Sequence, residues 1–332
     1  MPKKVGVVLF QLGGPDSPDA VEPFLYNLFC DPDIIPLGPF GGILRKPLAR
    51  YISRKRSKIA AAHYMEIGGQ SPIRQLTERQ ARRLETTLGH AVDARVFIAM
   101  RYWHPLAAQA IGEVRDYEPD ALVLLPMYPQ YSFATTRSSV KEWQRLYRPA
   151  QATAEEHLIE HFYDHPLYIE AVVDRIELAL SHFHDPRMTH IVFSAHGLPL
   201  SLIEKGDPYQ KQIEETVRLV LEDGRWRNSH TLCYQSRVGR QKWLEPSLDT
   251  TIENLARAGE KNLLVVPISF VTEHIETLHE INIEAREHAT KLGIEQFEMM
   301  PAVGDSPRFI GALADLVLRA VGVETAQPAR VG

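Results

Sequence analysis

Glu276, Glu280 and Glu284 are spaced four residues apart and share one face of any helix drawn through Glu273–Leu292. Like charges at that spacing destabilise a helix by about 0.2–0.5 kcal/mol per pair, so a cation or a moving proton would give the column a use. His274 and His279 are interleaved with the acids. Carboxylates and imidazoles without cysteine suit a hard or borderline divalent ion held transiently, not a closed zinc site. The same row could conduct protons. His196 is the second candidate: it ends the apolar run Ile191-Val192-Phe193-Ser194-Ala195 and precedes Gly197-Leu198-Pro199. Gly197 lets the chain turn away sharply and exposes the imidazole, as a base or metal ligand working near neutral pH requires. The plain alternatives are a solvated helix face for the glutamates, with Ile275, Leu278, Ile281 and Ile283 as the buried stripe, and a strand-end histidine bonded to backbone.

Positioning such groups requires a regular frame. Apolar runs at Val5–Gln11, Arg95–Met100, Ala121–Met127, Leu158–Phe162, His190–Ser194, Thr231–Tyr234, Asn262–Ile268 and Gln296–Met299 read as strands. Between them lie helical patterns at Ile73–Leu88, Pro105–Asp116, Ser138–Tyr147, Pro166–His182, Pro208–Glu222, Thr250–Ala258, Glu273–Leu292 and Pro307–Val321. Continuous apolar strands alternating with helices imply parallel sheets covered on both faces. The expected fold is α/β with two doubly wound, Rossmann-like domains, residues 1–152 and 153–332, each on a parallel four-stranded sheet, the last helix packing back on the first domain. A single eight-unit barrel is the competing architecture. The unusual polar residues gather after the strands, at Gln11-Leu12-Gly13-Gly14-Pro15, Arg101-Tyr102-Trp103-His104-Pro105, Tyr128-Pro129-Gln130-Tyr131-Ser132, His196-Gly197 and Gln235-Ser236-Arg237. In open α/β sheets the ligand crevice lies outside those strand ends. Tyr102, Trp103, Tyr128, Tyr131, Phe133, Tyr234 and Trp243 would line a slot for a large flat molecule, with Arg101, Arg137 and Arg237 for its carboxylates.

Composition excludes other classes. Across 332 residues the net charge is −5, which argues against a nucleic-acid binder. The only cysteines, Cys30 and Cys233, provide neither a disulfide framework nor a cysteine-rich metal motif and suit a reducing compartment, so cytoplasm is the expected location. Leu12-Gly13-Gly14-Pro15 lacks both the dinucleotide fingerprint and the P-loop lysine. Residues 36–58 mix apolar side chains with many cations and read either as a surface loop and helix or as a lip resting on an anionic membrane surface.

The whole chain resembles the ferrochelatases, which insert ferrous iron into a porphyrin. Ser194-Ala195-His196-Gly197-Leu198-Pro199 and His274-Ile275-Glu276-Thr277-Leu278 carry the resemblance, supported by Ile67-Gly68-Gly69-Gln70-Ser71-Pro72, the strand-end motifs above, and Trp243-Leu244. The resemblance implies protoporphyrin IX held between the domains and Fe2+ as substrate. It makes His196 and Glu276 the catalytic and metal-binding pair, and Tyr64, Ser71, Arg101, Tyr102, Tyr128, Trp243 and Leu12 the substrate-binding residues. Glu273, Glu280 and Glu284 would form a proton or ion conduit. Arg54, Arg56 and Lys58 are candidates for the cation that binds propionate. Leu12 stands where other members often have methionine. Some members carry a 2Fe–2S cluster; with Phe133 at a position where a cluster ligand occurs and no cysteine after Cys233, none is expected here. The alternatives are a tetrapyrrole chelatase for another metal or for coproporphyrin, and a non-catalytic haem or metal carrier. The oligomeric state is left open, with a monomer the expectation.

Overall fold

In a computed structural model, residues 3–35, 37, 41–147, 154–237 and 241–323 are described. The first sheet has the order β2-β1-β3-β4, built from β1 (Lys4–Gln11), β2 (Asp93–Met100), β3 (Ala121–Pro126) and β4 (Glu155–Leu158). The second repeats the order as β6-β5-β7-β8, from β5 (His190–His196), β6 (His230–Gln235), β7 (Asn262–Pro267) and β8 (Gln296–Met299). Every strand pair is parallel. The molecule is therefore an α/β protein on two four-stranded sheets, and the eight-unit barrel is excluded. The expected boundary at 152–153 lies outside the described residues; β4, which follows it, pairs with β3 in the first sheet.

Burial explains the layering. Central strands are apolar on both faces, so each sheet must be covered twice. One face of the first sheet packs on α4 (Ala107–Tyr117) and α5 (Ser138–Leu146), around Val8, Phe10, Leu124, Ile111 and Trp143. One face of the second packs on α9 (Leu248–Arg257) and α10 (Arg286–Lys291), around Val192, Val265, Ile252 and Ala289. The two remaining faces share a single core. Val7, Leu9 and Val123 join Phe193, Val266, Phe309 and Leu313 through α3 (Ile73–Leu88), α6 (Pro166–Leu180), α8 (Tyr209–Gly224) and α11 (Pro307–Ala320). The last helix thus lies between the sheets, packed on α3 and α6.

The chain departs from the expected elements in three places. The fourth strand is Glu155–Leu158 and not Leu158–Phe162. As an edge strand with largely exposed residues it carries no apolar run. Glu273–Leu292 is not one α-helix: Glu276–Ala285 is π-helical and only Arg286–Lys291 is α-helical. Residues 41–58 of the stretch read as a surface loop and helix belong to a helix of 26 residues, α2 (Gly41–Glu66), packed on α1 (Val21–Phe29), a helix the apolar pattern does not reveal. Residues 36 and 38–40 of the expected lip lie outside the described residues. The short helix α7 (Leu200–Glu204) follows the His196 turn.

Candidate active site

His196 is the last residue of β5, and Glu276 the first of the π-helical segment that follows β7, the next strand in the sheet. Adjacent strand ends therefore bring them together: His196 Nε2 is 3.7 Å from Glu276 Oε2. The turn after His196 is tight. A Cβ on Gly197 would lie 2.7 Å from the Gln235 carbonyl oxygen and 3.4 Å from the Trp243 ring, so only glycine fits. The His196 backbone N–H donates to Ser269 Oγ at 3.0 Å, and Nδ1 lies 2.7 Å from the Gly197 carbonyl. A carbonyl only accepts, which assigns a ring proton to Nδ1 and turns Nε2 toward Glu276.

A second imidazole fixes the charge on that carboxylate. His274 Nε2 lies 3.5 Å from Glu276 Oε2, and its Nδ1 lies 3.1 Å from the Thr272 carbonyl. Burial, which opposes ionisation of Glu276, is outweighed by His196 and by the hydrogen bond and charge of His274, and the carboxyl is held down to about 2. Burial likewise opposes charge on His274, but Glu276 and then Glu273 raise its affinity for a proton. Phe270 packs edge-on against both rings, with centroids 6.4 Å from His196 and 4.5 Å from His274.

Glu280 behaves oppositely. Burial and the Glu276 charge push it up to about 8, and its partner is the Ser236 hydroxyl. Ser236 has φ of 63°, a left-handed conformation uncommon for serine and typical of a residue aimed by its surroundings. Gln235 ties the neighbourhood together: its Oε1 accepts from Ser194 Oγ at 2.8 Å and its Nε2 donates to the Glu276 carbonyl at 3.1 Å. Glu284 is exposed. Glu273 is committed elsewhere, since Oε1 accepts the Ala302 N–H at 2.6 Å and Oε2 the Thr277 hydroxyl at 2.5 Å. Its place is an anchor for the start of the segment, not a link in the column.

The other expected residues divide. Tyr64, buried in the last turn of α2, lies near the column: burial, then Glu276 and Glu280, raise its phenol well above its ordinary value. Trp243 packs against Gly197 beside His196, with its buried Nε1 unpartnered. The Tyr128 hydroxyl is also buried, and burial raises it above its ordinary value against the opposing influence of Ser139 and Arg101. Leu12 packs with the cluster of α1, α2, Tyr102 and Ile275. Ser71 supports the glycine turn, its backbone N–H donating to the Pro15 carbonyl at 2.8 Å and its side chain filling the space where a Cβ of Gly14 would go. Arg101 and Tyr102 do not stand free. Arg101 Nη2 (2.8 Å) and the Tyr102 hydroxyl (2.7 Å) both donate to Oδ2 of buried Asp31, joined by Ser138 Oγ at 2.5 Å. Asp31 escapes the sequence reading because nothing in its short loop marks it.

Two further features bear on ligands. Gln11, Gln80 and Thr272 link the halves behind the site: Gln80 donates to the Val271 and Gly304 carbonyls and accepts from Thr272 Oγ1. Gln11 Nε2 reaches Thr272 Oγ1 at 3.5 Å. A cavity of about 720 Å³ lies along α1 and α2, lined by Tyr26, Pro47, Tyr51, Lys46, Arg50, Arg54 and Lys55.

Residues 4–321 match the family model described as Ferrochelatase. The chain is 49% identical to the ferrochelatase of Citrifermentans bemidjiense over 96% of its length and 98% of that protein's. It is 49% identical to that of Geotalea uraniireducens, covering 98% of this chain and 100% of the other. To that of Thermosynechococcus vestitus it is 48% identical, covering 97% of this chain and 83% of the other. Among solved structures, SirB from Bacillus subtilis with Fe3+ superposes with a TM-score of 0.58 over 96% of each chain at 11% identity, a likeness of fold alone.

Proposed function

The chain belongs to the ferrochelatase family and inserts ferrous iron into a porphyrin for haem synthesis, and we propose that His196 and Glu276 perform the insertion. The observation that carries this reading is the Glu276 carboxylate set between two imidazoles, 3.5 Å from His274 Nε2 and 3.7 Å from His196 Nε2. A free-base porphyrin loses two pyrrole protons as the metal enters. Its stiff ring points the nitrogen lone pairs inward, and a cleft that bends the ring exposes them at the expense of binding energy from the rest of the substrate. His196 Nε2 accepts the two pyrrole protons in turn, giving up the first before it takes the second, and each imidazolium formed is 3.7 Å from Glu276. Glu276, held ionised, is a poor proton acceptor and a good ligand for the incoming Fe2+. Glu280, protonated near neutral pH, carries protons onward to exposed Glu284. Tyr64, Tyr128, Trp243 and Leu12 bound the ring, while Arg101, Tyr102 and Ser71 act from behind by fixing the strand-end loops.

The substrate we propose is protoporphyrin IX, with its two carboxylates at the cations of α2. Lys46, Arg50, Arg54 and Lys55 line the cavity there, with Arg54 3.5 Å from Glu22. A second reading rests on the same cations: a ring with more carboxylates, coproporphyrin, would use more of them. Exposed Ile43, Leu44, Tyr51, Ile59 and Met65 share α2 with these cations and favour a greasy substrate delivered at an anionic membrane surface by a cytoplasmic protein. Among the described residues no helix is long and apolar enough to cross a membrane. With cysteines only at positions 30 and 233, the chain works without an iron–sulfur cluster.

Mixing the purified protein with Fe(II) and either porphyrin without oxygen, and following the free-base spectrum, tests the reading. Turnover to metalloporphyrin is expected, faster with protoporphyrin. His196→Ala should lower kcat at least about 100-fold while porphyrin still binds, because a positioned base supplies that much. Near-normal turnover in that variant would remove His196 from the chemistry.

A further inference from the structure

The three strand-end arginines are each matched by an acid, and most cations of α2 are not. Arg101 pairs with Asp31 at 2.8 Å, Arg137 with Asp33 at 3.2 Å and Arg237 with Glu245 at 3.7 Å. On α2, Arg54 meets Glu22 at 3.5 Å, whereas Lys46, Arg50 and Lys55 have no acidic partner among the described residues. The Arg101 pair differs from the other two in burial. Its side chains are 18% and 1% exposed, so water screens it least. Asp31 Oδ1 accepts the Asp33 N–H at 2.8 Å, and Arg101 Nε donates to Ser138 Oγ at 2.9 Å. The guanidinium also lies 5.0 Å from the centroid of the Tyr102 ring. That ring packs in one cluster with Leu12, Tyr64, Trp103 and Ile275, the residue before Glu276. The Asp31–Arg101 pair therefore stands directly behind an apolar wall of the site.

Free cations in one place and cancelled ones in another select among rings. The propionates of protoporphyrin IX lie together on one edge, and the rest of its rim is apolar. Coproporphyrin carries carboxylates around the whole rim. A carboxylate pressed against a neutral, apolar wall loses its water and gains no partner. Without Asp31 the same wall would back onto a bare guanidinium, the side chain best suited to a carboxylate. We propose that Asp31 is a specificity-determining residue: it cancels the charge of Arg101, keeps the strand-end wall of the cleft electrically neutral, and so favours a ring whose carboxylates all reach the free cations of α2. Discrimination of this kind works by withholding a partner from the wrong ligand. The identity of the ring rests on the iron-insertion reading; the charge pattern stands on the ion pairs.

Two measurements on the full chain test this: binding of free-base protoporphyrin and coproporphyrin without metal, followed by quenching of tryptophan fluorescence, and kcat/KM for each with Fe(II) without oxygen. Asp31→Asn should raise the affinity for coproporphyrin relative to protoporphyrin about tenfold or more, the worth of one charge-assisted hydrogen bond. The ratio of kcat/KM values should move with it. Arg101→Gln strips the other partner and leaves Asp31 unmatched, so it should move the ratio the opposite way. Combining Asp31→Asn with Arg101→Gln removes both charges and should return the ratio to that of the parent. Circular dichroism establishes that each variant is folded, and shifts of opposite sign in the two single variants cannot come from lost stability. Equal losses for both porphyrins in each single variant would overturn the proposal and make the network purely structural. So would a shift in Asp31→Asn that the added Arg101→Gln leaves in place. A parent that binds both rings and makes no metalloporphyrin would overturn the iron-insertion reading, while the binding ratios would still decide for or against Asp31.

Discussion

Glu276 lies 3.5 Å from one imidazole and 3.7 Å from another, and this determines which groups of the site carry charge. The carboxylate keeps its negative charge, buried His274 balances it, and Glu280, next in the column, keeps a proton because a second buried charge beside the first would cost too much. The like-charge penalty expected from the i, i+4 spacing is therefore largely absent at neutral pH, and the column holds a proton where a solvated face would hold only charges. Behind the site, Asp31 shows the opposite balance. Burial raises its carboxyl, but Arg101, Ser138, Tyr102 and the Asp33 N–H lower it further, below its ordinary value of 3.8. A folded-state value below the unfolded one contributes stability that is present above about pH 4 and lost as pH falls through the folded value. Asp31→Asn should therefore cost about 2–4 kcal/mol at neutral pH, because it leaves Arg101 and Tyr102 facing a neutral amide. Urea denaturation from pH 7 to pH 3 checks this, with the gap between variant and parent narrowing only below about pH 4. A gap independent of pH would mean that the network acts by shape and not by charge.

At the scale of elements, the segment from Glu276 to Ala285 is the part least legible in the sequence. Glutamates four residues apart lie on one face of either an α- or a π-helix, so the spacing points to a column but not to the bonding beneath it. Ten consecutive π-helical residues exceed the single-turn bulge that is usual, and such departures are frequent at functional sites. Its start is held by side chains. Thr277 donates to Glu273 Oε2 at 2.5 Å and accepts the His274 N–H at 3.1 Å, while Glu273 reaches across to Ala302. Thr277→Val keeps the shape and removes both bonds. It should cost about 1–3 kcal/mol and, by loosening Glu276, lower kcat about tenfold or more with little change in porphyrin affinity. Thermal denaturation and steady-state kinetics separate the two effects; stability lost without any fall in kcat would show that the anchor does not position Glu276. The strands contrast with this segment. Seven of the eight coincide with runs read as strands, most plainly the central β1, β3, β5 and β7, which the sheets bury, whereas β4 is an exposed edge whose Glu155-Glu156-His157-Leu158 carries no apolar run. α1 is not read at all, and α2 only as part of a surface loop and helix, because it is strongly cationic with apolar residues left exposed and no single face fixes its bounds.

Across the whole molecule, the repeat of cadence seen in the sequence becomes a repeat of topology, with both sheets ordered alike and His196 ending β5 where Gln11 ends β1. The sequence suggests two domains, yet the inner faces of the sheets share one core running from Val7 and Leu9 to Phe309 and Leu313. A last helix lying between two layers binds them more tightly than a cleft between separate domains would suggest. Gln80 adds a polar staple: fully buried on α3, it donates at 3.2 and 2.9 Å to the carbonyls of Val271 and Gly304 in the other half. Those carbonyls flank Glu273 and His274 on one side and Ala302 on the other, so the staple also sets where the acid column begins. Because the layers have no independent cores on their inner faces, calorimetry should show one cooperative transition, with calorimetric and van't Hoff enthalpies in agreement. Gln80→Met should lower stability by about 2–4 kcal/mol through unpaired carbonyls without splitting that transition. Two resolved transitions in the parent protein would show that the halves fold as separate domains and that the shared core does not couple them. Two transitions in the variant alone would locate the coupling at Gln80.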